Sequence, residues 1–189
     1  KDGDFVLCRN TRPLVSLCLK FITRGRKATI KGGDIGKNLI GMIEETKMRG
    51  VQAMFNKLNK KLEKVEEKAK EQYPLKPVDE VAMVANLRDK IEAIRAISDS
   101  KKCKHTHELI EVIKSIFVED TEGIVLSTMH KSKGLEADNV FIIDRFRLPA
   151  PFATQEWERE QETNLDYVAR TRGKKRLVYI KDRIYDQEK

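Results

Sequence analysis

Apolar residues occur in short continuous runs at the two ends of this chain and in helical stripes between them. The run Phe5–Cys8 is typical of a buried strand, and Thr11 is expected to cap the helix that follows it, with Pro13 in its first turn. Ala28–Ile30 is the next predicted strand, and Asp34 is expected to cap the next helix. This strand–helix–strand order favours a parallel sheet, because a helical crossover joins parallel neighbours.

Beyond Gly50 the apolar residues follow the spacing of long amphipathic helices. One stripe alternates steps of four and three residues, the pattern of a coiled-coil seam, and comprises Val51, Phe55, Leu58, Leu62, Val65, Ala69 and Gln72. The segment Tyr73–Pro77 breaks this helix, and a comparable stripe runs over Val81–Ile97. We expect an antiparallel hairpin of two helices, about 30 Å long for about 20 residues each, that projects from the sheet.

The strand pattern returns after a helix predicted around Thr106–Phe117. Three further strands and one helix are predicted at Gly123–Ser127, Asn139–Asp144, Arg176–Ile180 and Glu156–Arg170. The α/β pattern therefore occupies both ends of the chain, and a helical block separates them. We predict a discontinuous α/β domain of residues 1–45 and 118–189, interrupted by a helical insertion of residues 46–117.

A polar loop lies between the last buried residues of one predicted strand and the first of the next. The segment Thr128–Glu136 combines hydroxyl, imidazole, ammonium, glycine and carboxylate groups. A purely structural loop does not need this mixture of groups. The composition indicates a loop that binds phosphate and sugar.

Composition and charge narrow the class of partner. The 38 Lys and Arg residues against 30 Asp and Glu residues give a net charge of +8, which suits a polyanionic partner. Three widely spaced cysteines imply no disulfide framework and favour a reducing, cytoplasmic setting. No apolar run reaches about 18 residues, the length of a membrane span. The chain begins with neither Met nor a signal-peptide pattern, and we expect it to be a piece of a longer protein.

Three segments resemble one protein family. Ile124–Glu136 resembles motif V of the UvrD/Rep-type superfamily 1 DNA helicases, and Asn164–Leu177 resembles their motif VI. Phe5–Asn10 is similar to the strand and arginine that open the second motor domain of these enzymes, and the order and spacing of the three segments agree. The segment Lys31–Lys37 looks most like a phage-type branch of the family, which implies a bacterial or phage-infected cell.

The resemblance implies a RecA-like fold, in which helices flank a parallel sheet and ATP binds between the first and second motor domains. Glu136 would accept a hydrogen bond from the ribose, and Gly134 would let the backbone approach the nucleotide closely. Arg172 would be the arginine finger, because its guanidinium fork can pair with γ-phosphate oxygens and stabilise transition-state charge. ATP and Mg²⁺ are the implied cofactors.

The resemblance also implies a track for DNA. Thr128 and His130 match positions that face single-stranded DNA or couple it to ATP, and Arg9 and Asn10 match a DNA-facing loop. A hydroxyl and an imidazole can both bond phosphate oxygens without reading bases. The residues alone leave two alternatives open: His130 can equally be structural, and Arg9 can equally pair with an acid in the core.

Other positions depart from the family pattern or resemble other sites. Gln161 and the pair Thr163–Asn164 stand where the family usually has Glu and paired Arg, and Arg170 stands where an aliphatic residue is common. Cys103, His105 and His107 offer three metal-capable side chains without an evident fourth ligand, so no metal site is predicted.

The sequence contains no Walker A segment and no acidic pair after a strand, so Mg²⁺ and the β-phosphate have no cradle in it. We predict the C-terminal motor domain of an ATP-dependent DNA helicase, inactive without the N-terminal motor domain of the same protein. Single-stranded or partly duplex DNA is the expected partner, with no membrane. The alternative is a stand-alone nucleic-acid- or protein-binding module, derived from a helicase, that docks a protein through its hairpin.

Overall fold

A computed structural model describes residues 1–118 and 123–181 of the chain. Its strands are β1 Phe5–Cys8, β2 Ala28–Lys31, β3 Phe117–Val118, β4 Ile124–Thr128, β5 Ala137–Ile143 and β6 Gly173–Ile180. They form one sheet of six strands in the order β3-β2-β4-β1-β5-β6, and each pair of neighbours is parallel. The predicted α/β class, a parallel sheet flanked by helices, is therefore confirmed and is consistent with a RecA-like fold.

Helices cover both faces of this sheet. They are α1 Thr11–Thr23, α2 Gly33–Glu45, α3 Val51–Gln72, α4 Ala82–Lys101, α5 Thr106–Ile116 and α6 Glu156–Arg170. The five helices from α1 through α5 share a large apolar cluster with one face of the sheet. Helix α6 packs against the other face in a second cluster. In the described ranges, no helix is both long and apolar enough to cross a membrane.

Two predicted helix caps are wrong. Helix α1 starts at Thr11 itself, and its first N–H groups, those of Thr11 and Arg12, donate to the Asp89 carboxylate at 2.9 and 3.1 Å. A side chain from α4 thus supplies the cap that a local residue was expected to supply. Asp34 lies inside the first turn of α2, because the helix already begins at Gly33.

The strand bounds shift where pairing extends an element beyond its apolar run. Strand β6 begins at Gly173, before the predicted Arg176, because its first residue pairs with Ala137 across an irregular register. Strand β3 was not predicted as a separate element, since its two residues are too few to show a strand period. The predicted α/β segment 118–189 includes residues 119–122 and 182–189, which lie outside the described residues.

The helical block shares its core with the sheet. Met54 of α3, Ile94 of α4 and Leu109 of α5 lie in the same apolar cluster as Val6 and Leu126 of the sheet. The seam predicted for α3 is buried at Val51, Phe55, Leu58 and Ala69, whereas Gln72 is exposed. A separate small cluster of Ala69, Val81 and Val84 joins the end of α3 to the start of α4. The division into two domains and the coiled-coil geometry stay predictions.

Candidate nucleotide and nucleic-acid site

The adjacent strands β1 and β4 bring two polar segments together at the carboxyl edge of the sheet. Their parallel register pairs Cys8 with Thr128, so Arg9 and Asn10 leave β1 beside the loop that follows β4. Ligands of open parallel α/β sheets bind outside this edge. Two neighbouring strands therefore end at the four residues predicted to face DNA, which we call the nucleic-acid group: Arg9, Asn10, Thr128 and His130.

The first half of the loop after β4 is a turn of 3-10 helix, Met129–Ser132. Thr128 caps this turn, because its hydroxyl accepts a hydrogen bond from the Lys131 N–H at 3.4 Å. Ser132 is buried, and its hydroxyl donates to the Met129 carbonyl at 2.7 Å. The Thr128 hydroxyl thus already serves the fold of the loop, and its contact with DNA stays a prediction.

A bidentate ion pair fixes the Arg9 side chain. Nε and Nη2 of Arg9 donate to the Glu162 carboxylate at distances between 2.9 and 3.2 Å, and only 14% and 8% of the two side chains are exposed. Glu162 also accepts the Ala150 backbone N–H at 3.2 Å. The Arg9 guanidinium lies 5.6 Å from the centroid of the Phe152 ring. The acid that the sequence left open as a partner for Arg9 is Glu162.

Sequence reasoning missed Glu162, although a signal for it exists. Glu162 shares the buried face of α6 with Leu165 and Ala169, at helical spacing. A carboxylate on such a face needs a partner, because a buried unpaired charge is costly. The neighbouring departures from the family pattern, Gln161 and Thr163–Asn164, are exposed.

His130 has an exposed side chain near this ion pair. Desolvation and the positive charge of Arg9 lower the pKa of His130, although the Glu162 carboxylate acts in the opposite direction. A neutral imidazole donates one hydrogen bond and accepts one. His130 is therefore suited to hydrogen bonding without adding a charge at neutral pH.

Asn10 lines a cleft of about 400 Å³ between α4 and the segment that follows β5. The same cleft is lined by Arg9, Arg147, the rings of Phe146 and Phe152, and the carboxylates of Asp79, Asp89 and Glu92. Phe146 is exposed. Guanidinium groups and accessible aromatic rings are the groups that bind the phosphates and bases of single strands.

The three residues predicted to face ATP, Gly134, Glu136 and Arg172, also come together, and we call them the nucleotide group. Arg172 follows α6, and its Nη1 donates to the Leu135 carbonyl at 3.2 Å. The Ala137 N–H in turn donates to the Arg172 carbonyl at 3.0 Å. These two bonds join the end of α6 to the residues on either side of Glu136.

Of the two polar side chains of the nucleotide group, Glu136 is exposed and Arg172 is half-buried. Glu136 forms an ion pair with Lys174 at 3.2 Å, in which 53% and 57% of the side chains are exposed. Arg172 Nε donates to the Val168 carbonyl at 2.8 Å. Gly134 has a φ of +78°, and a Cβ atom at this position would meet nothing within 4 Å. The glycine therefore forms the turn and leaves open space beside the backbone.

A cluster on the outer side of α6 explains the departure at Arg170. Arg145 donates to Asp166 through Nε and Nη2 at 3.2 and 3.0 Å, and Arg170 pairs with the same carboxylate. Burial alone would raise the pKa of Asp166, but the hydrogen bonds from Arg145 and Arg170 lower it. Arg170 is thus an exposed structural partner of Asp166.

The residues that resembled a metal site lie around the start of α5. The His105 and His107 rings stack with centroids 5.6 Å apart, and Glu108 accepts the N–H groups of Lys104 and His105 at 2.9 and 3.2 Å. Over residues 1–118 and 123–181, no three His, Cys, Asp or Glu residues are grouped so as to hold a metal ion.

Comparison with known proteins relates these residues to a family. A sequence model of the UvrD-like helicase C-terminal domain matches residues 11–183. The F-box DNA helicase protein 1 of Schizosaccharomyces pombe is 44% identical over 63 residues, which are 30% of this chain and 7% of that protein. The chain therefore spans only a small part of this relative. The branch suggested by Lys31–Lys37 stays a prediction.

Proposed function

The chain belongs to the family of UvrD-like helicase C-terminal domains, and we propose on this premise that it is the second motor domain of an ATP-dependent DNA helicase. One observation carries the proposal: the nucleic-acid group and the nucleotide group are the two ends of one connected unit. The loop Thr128–Glu136 joins them on one side, and α6 joins them on the other. A motor needs such a link, because ATP binding must change how the domain contacts DNA.

At the nucleotide group, Glu136 accepts a hydrogen bond from the ribose and Arg172 pairs with the γ-phosphate. The exposed ion pair between Glu136 and Lys174 supports the first role, because an exposed pair contributes little and exchanges readily for another partner. The second role rests on the planar fork of Arg172, which stabilises the charge on the transferred phosphoryl group.

Mg²⁺ would supply positive charge that neutralises the charge developing on the transferred phosphoryl group. The described part of this chain does not fit the ion, because it groups no three potential ligands, and the sequence has no Walker A segment. We therefore assign Mg²⁺ and the β-phosphate to the first motor domain of the same protein. ATP-driven closure of the cleft between the domains then moves single-stranded DNA along the nucleic-acid group.

The test compares ATP hydrolysis by the isolated chain with that by the full-length protein, each with and without single-stranded DNA. We expect DNA-stimulated turnover from the full-length protein and none from the chain alone. Turnover by the pure chain contradicts the assignment of the phosphates to another domain. A full-length protein that binds DNA but never hydrolyses ATP contradicts the helicase function.

A second candidate is a stand-alone module that docks a protein through the end of the α3–α4 hairpin. Three large apolar side chains there, Tyr73, Leu75 and Met83, are exposed, and Leu75 is fully so. The discriminating observation is the reading frame upstream of this chain. A Walker A segment and an Asp-Glu pair there favour the helicase, whereas an immediate start codon favours the module.

A further inference from the structure

Glu162 is a buried carboxylate that connects three segments at the carboxyl edge of the sheet. It belongs to α6, it binds the Arg9 fork directly after β1, and it accepts the Ala150 N–H from the segment after β5. Only 6% of the residue is exposed. A buried charge has a desolvation cost, which only well-aligned hydrogen bonds to a partner of opposite charge offset. We therefore expect the Glu162 carboxylate to move together with the Arg9 guanidinium.

The geometry of the ion pair holds the Arg9 guanidinium in one orientation. Glu162 engages Nε and Nη2 of the guanidinium, and Phe152 lies against its face at 5.6 Å. Nη1 is the guanidinium nitrogen that Glu162 does not engage, and its N–H groups can donate to a phosphate oxygen. A bidentate partner holds the planar fork in one orientation, which a single flexible contact would not do.

Helix α6 extends from this ion pair to the nucleotide group. Between its two ends, Leu165 and Ala169 pack in one apolar cluster with Leu7 and Met129. From Glu162 to Arg170, the last residue of α6, the distance is about 12 Å at 1.5 Å per residue, and Arg172 follows two residues later. Close-packed interiors have low compressibility, so a displacement at one end of a packed helix is carried to its other end.

We propose that Glu162 is a positioning residue, which aims Arg9 at nucleic acid and makes α6 the rigid connection between Arg9 and Arg172. A phosphate that accepts a hydrogen bond from Nη1 of Arg9 displaces the guanidinium that Glu162 holds, and Glu162 passes this displacement to the middle of α6. The shift reaches Arg172 and its bond to Leu135. This role rests on the proposed function and adds to it the residue through which nucleic-acid binding acts on the nucleotide group.

The first test uses the full-length protein and the single-stranded DNA concentration that gives half-maximal stimulation of ATP hydrolysis. We expect Glu162→Gln to raise this concentration about tenfold, because the charge that orients Arg9 is removed. The matched control is Glu160→Gln, which removes a charge from an exposed position of the same helix and should stay within about twofold of wild type. Equal effects of the two variants overturn the proposal.

The second test asks whether Glu162 acts through Arg9. In an Arg9→Ala background, Glu162→Gln should raise the half-maximal concentration no further, because the group it positions is gone. An undiminished tenfold effect in that background overturns the proposal and indicates general damage to the fold. If Glu162→Gln does not fold, Glu162→Asp replaces it in the same cycle, since it keeps the charge but withdraws the carboxylate from the fork.

The two proposals fail in different ways. A wild-type full-length protein without DNA-stimulated turnover contradicts the proposed function itself. A wild-type protein with such turnover, whose Glu162→Gln variant behaves like Glu160→Gln, leaves the helicase function intact and removes only the role of Glu162.

Discussion

Arg9 of the nucleic-acid group and Glu136 of the nucleotide group are held in opposite ways. Arg9 is held by a buried bidentate partner, with 14% of its side chain exposed, whereas Glu136 has a single exposed partner and 53% of its side chain in contact with solvent. The Arg9 guanidinium is therefore engaged inside the chain, as is that of Arg172, which donates to two backbone carbonyls. The Glu136 carboxylate faces solvent instead.

Because of this difference, substitutions of the two residues should affect different properties, the stability of the fold in one case and ligand binding in the other. Breaking a buried ion pair leaves an uncompensated charge in a poorly solvated place, so it lowers the free energy of unfolding. Breaking an exposed pair has little effect on the fold, so the role of such a residue appears only with its ligand. Substitutions in the two groups should therefore be read out by different measurements.

The largest effect is expected at Arg172 and in catalysis. Arg172→Ala in the full-length protein should lower the rate of ATP hydrolysis at saturating DNA by about 10³-fold or more, because an arginine finger contributes that much. Binding of single-stranded DNA, followed by fluorescence anisotropy, should change little.

Arg170→Ala is the matched control for Arg172→Ala. Arg170 lies two positions earlier in the sequence and pairs with Asp166 at the surface, so its loss should leave turnover within about twofold of wild type. Wild-type kcat in Arg172→Ala would remove the finger assignment, and equal losses in both variants would show that the end of α6 matters only structurally.

The second effect is expected in stability and should divide the two groups. Arg9→Ala leaves the buried Glu162 carboxylate without its guanidinium partner and should lower the free energy of unfolding by about 3 kcal/mol. Glu136→Ala should change it by less than about 0.5 kcal/mol. Urea unfolding of the chain measures both, and similar values for the two variants would contradict the division into a buried and an exposed group.

The local pattern of apolar residues predicted the helices and strands, but it did not predict side-chain partners that are distant in the sequence. The bounds of Phe5–Cys8 and Glu156–Arg170 agree with prediction, because a continuous apolar run and a long helical stripe fix them locally. The partner of Arg9 lies 153 residues later in the chain, and the cap of α1 comes from a residue 78 positions away. Such pairings depend on the packing of whole elements, which sequence spacing does not encode.

A third, smaller effect on stability is expected at Asp89, the residue of α4 that caps the helix after Arg9. Asp89→Ala removes the carboxylate that accepts the Thr11 and Arg12 N–H groups, and it should lower the free energy of unfolding by about 1 kcal/mol. Asp99→Ala, an exposed change on the same helix, is the control and should change it by less than about 0.5 kcal/mol. Equal values for both would mean that α1 needs no cap from α4.

The smallest effect concerns His130, which has an exposed side chain but is affected by the buried pair. Its pKa is lowered in the folded chain by desolvation and by Arg9, so the unfolded chain takes up a proton first as the pH falls. Its contribution to stability is therefore present above about pH 6.5, the ordinary histidine value, and is lost as the pH falls through the folded pKa.

The variant His130→Gln isolates this contribution, because the other titrating groups are the same in both proteins. Between about pH 7.5 and about pH 5.5, wild type should lose more stability than the variant, measured by urea unfolding at each pH. Parallel pH profiles would mean that His130 is as free of the Arg9–Glu162 pair as an ordinary surface histidine. A steeper loss in wild type would instead show that the Arg9–Glu162 pair acts on His130, at the start of the loop that leads to Glu136.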